Sequence, residues 1–134
     1  MPREIINPES IYDSLPYGFS HAARSRGGTT IHCAGQVAWD RNGQLVGLGD
    51  LGAQSRQVLE NLKTVLGEAG ATPADVIRMR TYVVNHKPEY LDVIGKAIAE
   101  FYGDTLPAAN TLIGVQSLAL PDFLIEIEVT AVIG

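Results

Sequence analysis

A two-layer α+β sandwich, with two helices covering one face of a mixed β-sheet, is the fold class this sequence predicts. Three observations carry it. Segments 50–69 and 88–102 each show apolar residues at helical spacing along a single stripe, so each has one side to bury. Near the C-terminus, Ile125, Ile127, Val129 and Ala131 alternate with Glu126, Glu128, Thr130 and Val132, the period of a strand with one face on a core. The order of elements is several antiparallel strands, helix, strand, helix and two strands, which puts both helices on the same sheet face.

Composition narrows the function classes. A chain of 134 residues is expected to form one domain over 1–134, long enough to bury a core without cross-links. With 46% hydrophobic and 19% charged residues it reads as globular and not disordered. A net charge of −5 opposes a non-specific binder of phosphate backbones, so no nucleic-acid partner is expected. The single cysteine, Cys33, allows no intrachain disulfide. The first residues lack the apolar run of a signal peptide, and nothing approaches the ~18 apolar residues needed to span a bilayer. A soluble cytoplasmic protein with no membrane partner is the expectation.

From the start, 3–7 reads as a short strand, and 8–18, with Pro8, Asp13, Ser14, Pro16 and Gly18, as a loop. Tyr12 and Tyr17 in that loop either pack on the core surface or line a pocket. Residues 20–26 and 29–37 read as a hairpin joined by Gly27-Gly28, since a two-residue turn demands positive φ. On its second strand His32, Ala34 and Gln36 share one face, and Ile31, Cys33 and Gly35 the other. Cys33 reads as a small buried apolar residue, because no spacing pairs it with a base. A further turn falls at Asp40-Arg41-Asn42-Gly43.

Segment 50–69 is the strongest helix, capped by Asp50 and ended by Gly70. Leu51, Val58, Leu59, Leu62, Val65, Leu66 and Ala69 make its stripe, and Gln54, Arg56, Gln57, Glu60 and Lys63 its wet side. Arg56 and Glu60 stand at i,i+4 and suit a surface pair. Segment 75–85 is a strand whose core face is Ile77, Met79, Thr81 and Val83. Its other face carries Arg78 and Arg80, which either pair across the sheet with Glu126 or Glu128 or leave those carboxylates free for chemistry. The second helix is 88–102, with Pro88 suited to its first turn and Tyr90 or Leu91, Ile94, Ala97, Ile98, Phe101 and Tyr102 as its stripe. Segment 107–132 reads as two strands around a turn at Pro121-Asp122. A sheet face that mixes charges with His32, Gln36, Tyr82, Val84 and Val132 suits packing against copies of itself, so a homo-oligomer with a pocket between subunits is expected.

Four segments then carry a resemblance: Cys33-Ala34-Gly35-Gln36, the run Gln54-Ser55-Arg56-Gln57-Val58-Leu59-Glu60-Asn61-Leu62, Pro107-Ala108, and Ile125-Glu126-Ile127-Glu128. In order and spacing they resemble the RidA/YjgF family of reactive-intermediate deaminases, over about 7–132. The resemblance implies a chorismate-mutase-like α+β fold, a homotrimer, and small-molecule clefts at the subunit interfaces. It implies hydrolysis of imines and enamines to a ketoacid and ammonia, with no cofactor and no metal. It assigns Glu126 to orient the hydrolytic water, and Tyr17, Ala34, Gln36, Asn110 and Thr111 to the substrate cleft. In the active branch an arginine follows Pro-Ala directly and grips a carboxylate. Here Ala109-Asn110-Thr111 follow, with Asn110 nearest that place by counting back from Glu126 and one residue of slack toward Ala109. The serine that precedes Gly-Gln in the active branch is Ala34 here, and the helix-2 asparagine is replaced near Ile94 or Gly95. The chain thus resembles a branch that lacks the positive anchor: either a hydrolase of imines, enamines or related labile intermediates, or a trimer that binds a small metabolite without turnover. A ribonuclease reading fits poorly, since His21, His32 and His86 show neither acid–base pairing nor, with Cys33, metal-ligand spacing.

Overall fold

The computed structural model describes residues 3–134. Four strands form the main sheet: β3 (Thr29–His32), β4 (Val76–Val84), β5 (Ala109–Val115) and β6 (Ile125–Ile133), in the order β3-β6-β4-β5. Strands β4 and β5 are parallel, and the other pairs are antiparallel. Helices α1 (Leu51–Glu68) and α2 (Tyr90–Tyr102) pack on each other and against the face made by Ile125, Ile127, Val129 and Ala131, all buried. The alternation along β6 therefore does what its pattern dictates, and the two-layer mixed α+β fold is the one expected. No helix among the described residues is long and apolar enough to cross a membrane.

Two pairings differ from the sequence reading. Residues 20–37 do not form a hairpin. Strand β2 (Ala22–Ser25) pairs with β1 (Arg3–Ile6) in a separate ribbon, and β3 pairs with β6. Gly27 and Gly28, at φ +61° and +78°, turn the chain from the ribbon into the main sheet. At Gly28 a side chain would run into the carbonyl of Ile133, so the close backbone approach as well as the turn requires glycine. Likewise β5 and β6 are not neighbours across Pro121-Asp122, because β4 lies between them. A parallel β4–β5 pair needs a crossover, which α2 supplies, and β6 then returns antiparallel on the other side of β4. The turn at Asp40 is as read: its Oδ1 accepts from the Asn42 and Gln44 amides at 2.9 and 3.0 Å, and Gly43 has φ +70°.

Helix α1 is capped by Asp50, which accepts from the Ala53 amide at 3.0 Å. Its wet side is drier than expected. Gln54 is fully buried: Nε2 donates to the carbonyls of Gly47 and Asp122 at 3.0 and 2.9 Å, and Oε1 accepts from the Leu124 amide at 2.9 Å. The loops at 47 and 122–124 fold over this part of the helix, so a polar residue was required where periodicity alone read solvent. Toward the other end Val65 and Ala69 are exposed rather than in the stripe, since only Leu62 and Leu66 meet the core there. A β-bulge in β4 between Val76 and Arg78 buries Val76 in place of Ile77 and restores the expected phase from Met79 onward.

Candidate functional site

The helix-free face of the sheet is built in rows by strand register. Ala109, Arg78 and Thr130 lie side by side; so do Thr111, Arg80 and Glu128; so do Ile113, Tyr82 and Glu126. Met79, Thr81 and Val83 are buried on the opposite side, so these rows all present to the open face. Glu126 and Glu128 are half-buried there. Burial, and then the neighbouring charge of Glu128, raise the Glu126 carboxyl above the ordinary carboxylate value. Glu128 instead accepts a hydrogen bond from the Tyr82 hydroxyl at 2.9 Å.

Gly35 supplies the floor beside Glu126. The chain after β3 keeps bonding to β6, with the Cys33 amide donating to the Val129 carbonyl at 3.0 Å and the Gln36 amide to the Ile127 carbonyl at 2.9 Å. Three residues on one side thus span two on the other, and the alternation slips. Cys33 faces the core, its thiol pKa raised by burial, yet Gly35 turns toward Glu126. A Cβ at Gly35 would meet the Glu126 carboxylate, within 2.9 Å of its Cδ. The expected face of His32, Ala34 and Gln36 therefore breaks. Gln36 sits in register with core-facing Ile127, and its side-chain Nε2 donates to the Ala34 carbonyl at 3.4 Å.

Neither arginine pairs with a carboxylate. Arg80 lies directly opposite Glu128, but among the described residues the ion pair within 4 Å is Arg24–Glu4, at 2.6 Å. The expected contacts of Arg78 or Arg80 with Glu126 or Glu128 are not made, nor is that of Arg56 with Glu60; Glu128 accepts from Tyr82, and the arginines are exposed to solvent, where an ion pair gains little. Arg78, Arg80, Glu128, Val129 and Thr130 line a cavity of about 190 Å³ on the open face.

Asn110 lies on the other side of the sheet. Its register partner is buried Met79, and its Oδ1 accepts from the buried Thr81 hydroxyl at 3.2 Å. With Tyr17, Phe19, Ile94, Gly95 and Lys96 it lines a larger, mostly apolar cavity of about 820 Å³ between α2 and the 12–19 loop. Tyr17 reaches it from a 3-10 turn, Leu15–Tyr17, closed by Gly18 at φ +84°. The candidate set thus divides, with Glu126 and Thr111 on the open face and Tyr17 and Asn110 on the helix side. The residues after Pro107-Ala108 that share a face with Glu126 are Ala109 and Thr111, and each has an arginine of β4 beside it. In the sequence those arginines read only as partners for the glutamates; two arginines at i,i+2 on the polar face of a strand are the signal that a site could use. Among the described residues no group of three or more His, Cys, Asp or Glu is placed to hold a metal ion.

This fold, with two glutamates and two arginines on its open sheet face, defines a class. The family model described as endoribonuclease L-PSP matches residues 14–133, and the chain belongs to that family, the YjgF/Rid family. Within it, a solved Rid-family protein of Yersinia pestis, YyfB, described as of unknown function, is 61% identical, covers 99% of this chain and all of its own, and superposes with a TM-score of 0.97. A RutC family protein of Pyrococcus horikoshii is 36% identical over 96% of this chain and 97% of its own. The 3-aminoacrylate deaminase RutC of Acinetobacter baylyi is 32% identical over 95% of both.

Proposed function

We propose that the protein hydrolyses small imines or enamines, with Glu126 handling protons, and works as a cytoplasmic homotrimer whose ligand clefts lie between subunits. The observation that carries this reading is the Glu126 carboxyl: half-buried, raised in pKa, and set against the Gly35 backbone. An enamine first takes a proton on carbon and becomes an imine. Water then adds to the imine carbon, and the carbinolamine expels ammonia as its hydroxyl proton leaves, so imine plus water gives carbonyl plus ammonia. Each step moves a proton, and a carboxyl whose pKa lies nearer neutrality does so better than an ordinary one. The imine carbon is already electrophilic, so the chemistry asks for no cofactor. The Acinetobacter relative is a deaminase of 3-aminoacrylate, an enamine.

The trimer is supported by the division of the site. Tyr17 and Asn110 open on one side of the sheet and Glu126 on the other, so a cleft that joins them draws on two subunits. A second reading, a trimer that binds a metabolite without turnover, is favoured by the uncharged Ala109 and Asn110. The deciding measurement is pyruvate release from 2-iminopropionate generated in situ. The hydrolase reading expects acceleration over buffer that Glu126→Gln abolishes. No acceleration with that compound or with 3-aminoacrylate leaves the binding reading.

A further inference from the structure

We infer that Arg78 and Arg80 of β4 form a subsite on the open sheet face for the carboxylate of a small monoanionic substrate, whose reacting carbon lies toward Glu126. The inference deepens the hydrolase reading and rests on it for the role of Glu126 alone. Four observations carry it. Both guanidinium groups belong to one side of one strand, two residues apart, and line the same 190 Å³ cavity. Neither has a carboxylate within 4 Å, although Glu128 stands directly opposite Arg80. Glu128 accepts instead from the Tyr82 hydroxyl at 2.9 Å. The neighbours on the β5 side, Ala109 and Thr111, are small and leave the guanidinium groups room.

The chemistry of the cavity selects the ligand. A guanidinium fork matches a planar carboxylate with two parallel N–H···O bonds. Thr130, which also lines the cavity, can donate through its hydroxyl to the same oxygen atoms. Glu128 on the cavity wall, with Glu126 one row on, repels a second negative charge, so a monoanion fits better than a phosphate dianion. The row order Thr130–Glu128–Glu126 then fixes direction. With the carboxylate at Arg78 and Arg80, the next carbons extend toward Tyr82 and Glu126, whose row lies about 7 Å along the strand from Glu128. The reacting carbon of a 2-imino acid or 3-amino-2-enoic acid lies only about 1.5–2.5 Å from its carboxyl carbon, so the long arginine and Glu126 side chains cover the rest of that distance.

The test uses the intact protein and pyruvate as a non-reacting carboxylate, titrated at low salt and followed by amide NMR shifts. Pyruvamide, the uncharged isostere, and inorganic phosphate are the controls. Pyruvate is expected to shift the amides of Thr111, Glu128 and Thr130, with pyruvamide and phosphate weaker by about tenfold or more. Arg80→Gln should weaken pyruvate by a similar factor and Arg80→Lys by less, with the mass of the assembly unchanged. Equal binding of pyruvamide, tighter binding of phosphate, or pyruvate affinity unaltered in the Arg78→Gln/Arg80→Gln double variant overturns the subsite. So does loss of assembly in Arg80→Gln without loss of affinity, which would make Arg80 an intersubunit ion-pair partner. Pyruvate binding that needs the arginines, in a protein that never hydrolyses 2-iminopropionate, upholds the subsite and removes the hydrolase. Turnover with an unchanged KM in the double variant does the reverse.

Discussion

The Tyr82 hydroxyl donates to Glu128 Oε1 at 2.9 Å, across neighbouring rows of β4 and β6. This bond orients the carboxylate of the residue directly opposite Arg80 and uses one of its acceptor positions. Tyr82→Phe removes the donor and releases Glu128 toward Arg80. The variant should lose about 1 kcal/mol of stability, the usual net worth of one hydrogen bond. It should also bind pyruvate more weakly, since Glu128 now competes for the guanidinium. Urea unfolding and an anion titration read the two effects separately, and tighter binding in the variant would contradict this account.

The pH dependence follows from Glu126. Its carboxyl pKa lies above that of the unfolded chain, through burial and the charge of Glu128. The folded state therefore holds this proton more tightly, and that contribution is present in full below the unfolded pKa. It is lost as pH rises through the higher folded value. Relative to Glu126→Gln, the wild-type protein should lose stability as pH rises from about 4. Thermal unfolding of both proteins across that range checks the sign, and a wild type that gains on the variant with rising pH would refute it.

Gly35→Ala should harm function more than folding. Gly35 does not have the positive φ that favours glycine, but the added methyl would press on the Glu126 carboxylate. A flexible glutamate can swing away, so the unfolding midpoint should move little. Turnover of 2-iminopropionate should fall by an order of magnitude or more, as for a displaced proton-transfer group. Turnover matching the wild type would show that the carboxylate's place beside Gly35 does not matter.

Gln54→Leu tests the loop clamp. The substitution leaves the Gly47 and Asp122 carbonyls and the Leu124 amide without their buried partner. A cost of about 2–4 kcal/mol is expected, because buried groups left unsatisfied lose more than the bond itself was worth. Since Leu124 leads into β6, amide exchange at Ile125 and Glu126 should also quicken. A shift below 1 kcal/mol in chemical denaturation would show that water replaces the clamp.

Assembly is checked by light scattering. The expected mass is about three times the 14.4 kDa of the chain. A monomer at micromolar concentration would remove the shared cleft, while leaving the arginine subsite to its own titration.

Much of this molecule could be read from residue order. The stripe of α2, most of that of α1, the alternation of β6, the Asp50 cap and the Asp40 turn depend on neighbours a few positions apart, and these formed as their patterns required. The errors have a common cause. Gln54 looked solvated because periodicity does not see loops at 47 and 122–124 folding over a helix. The Gly27-Gly28 turn looked like a hairpin because a local signal does not say which strand comes next to which. Asn110 was matched to a site by counting along one strand, and counting left a residue of slack, which in a strand reverses the side chain's face.

Sequence by itself determined the layer architecture, the family and the presence of two carboxylates on an open strand face, because these rest on local periodicity and on matched motifs. Only the tertiary structure decided what stands beside those carboxylates. Register across β5, β4 and β6 placed Arg78 and Arg80 next to Ala109 and Thr111, a slip after Cys33 turned Gly35 toward Glu126, and a tyrosine hydroxyl bonded Glu128 opposite Arg80. Contacts between residues tens of positions apart depend on the alignment of strands, and a displacement of one residue inverts every face.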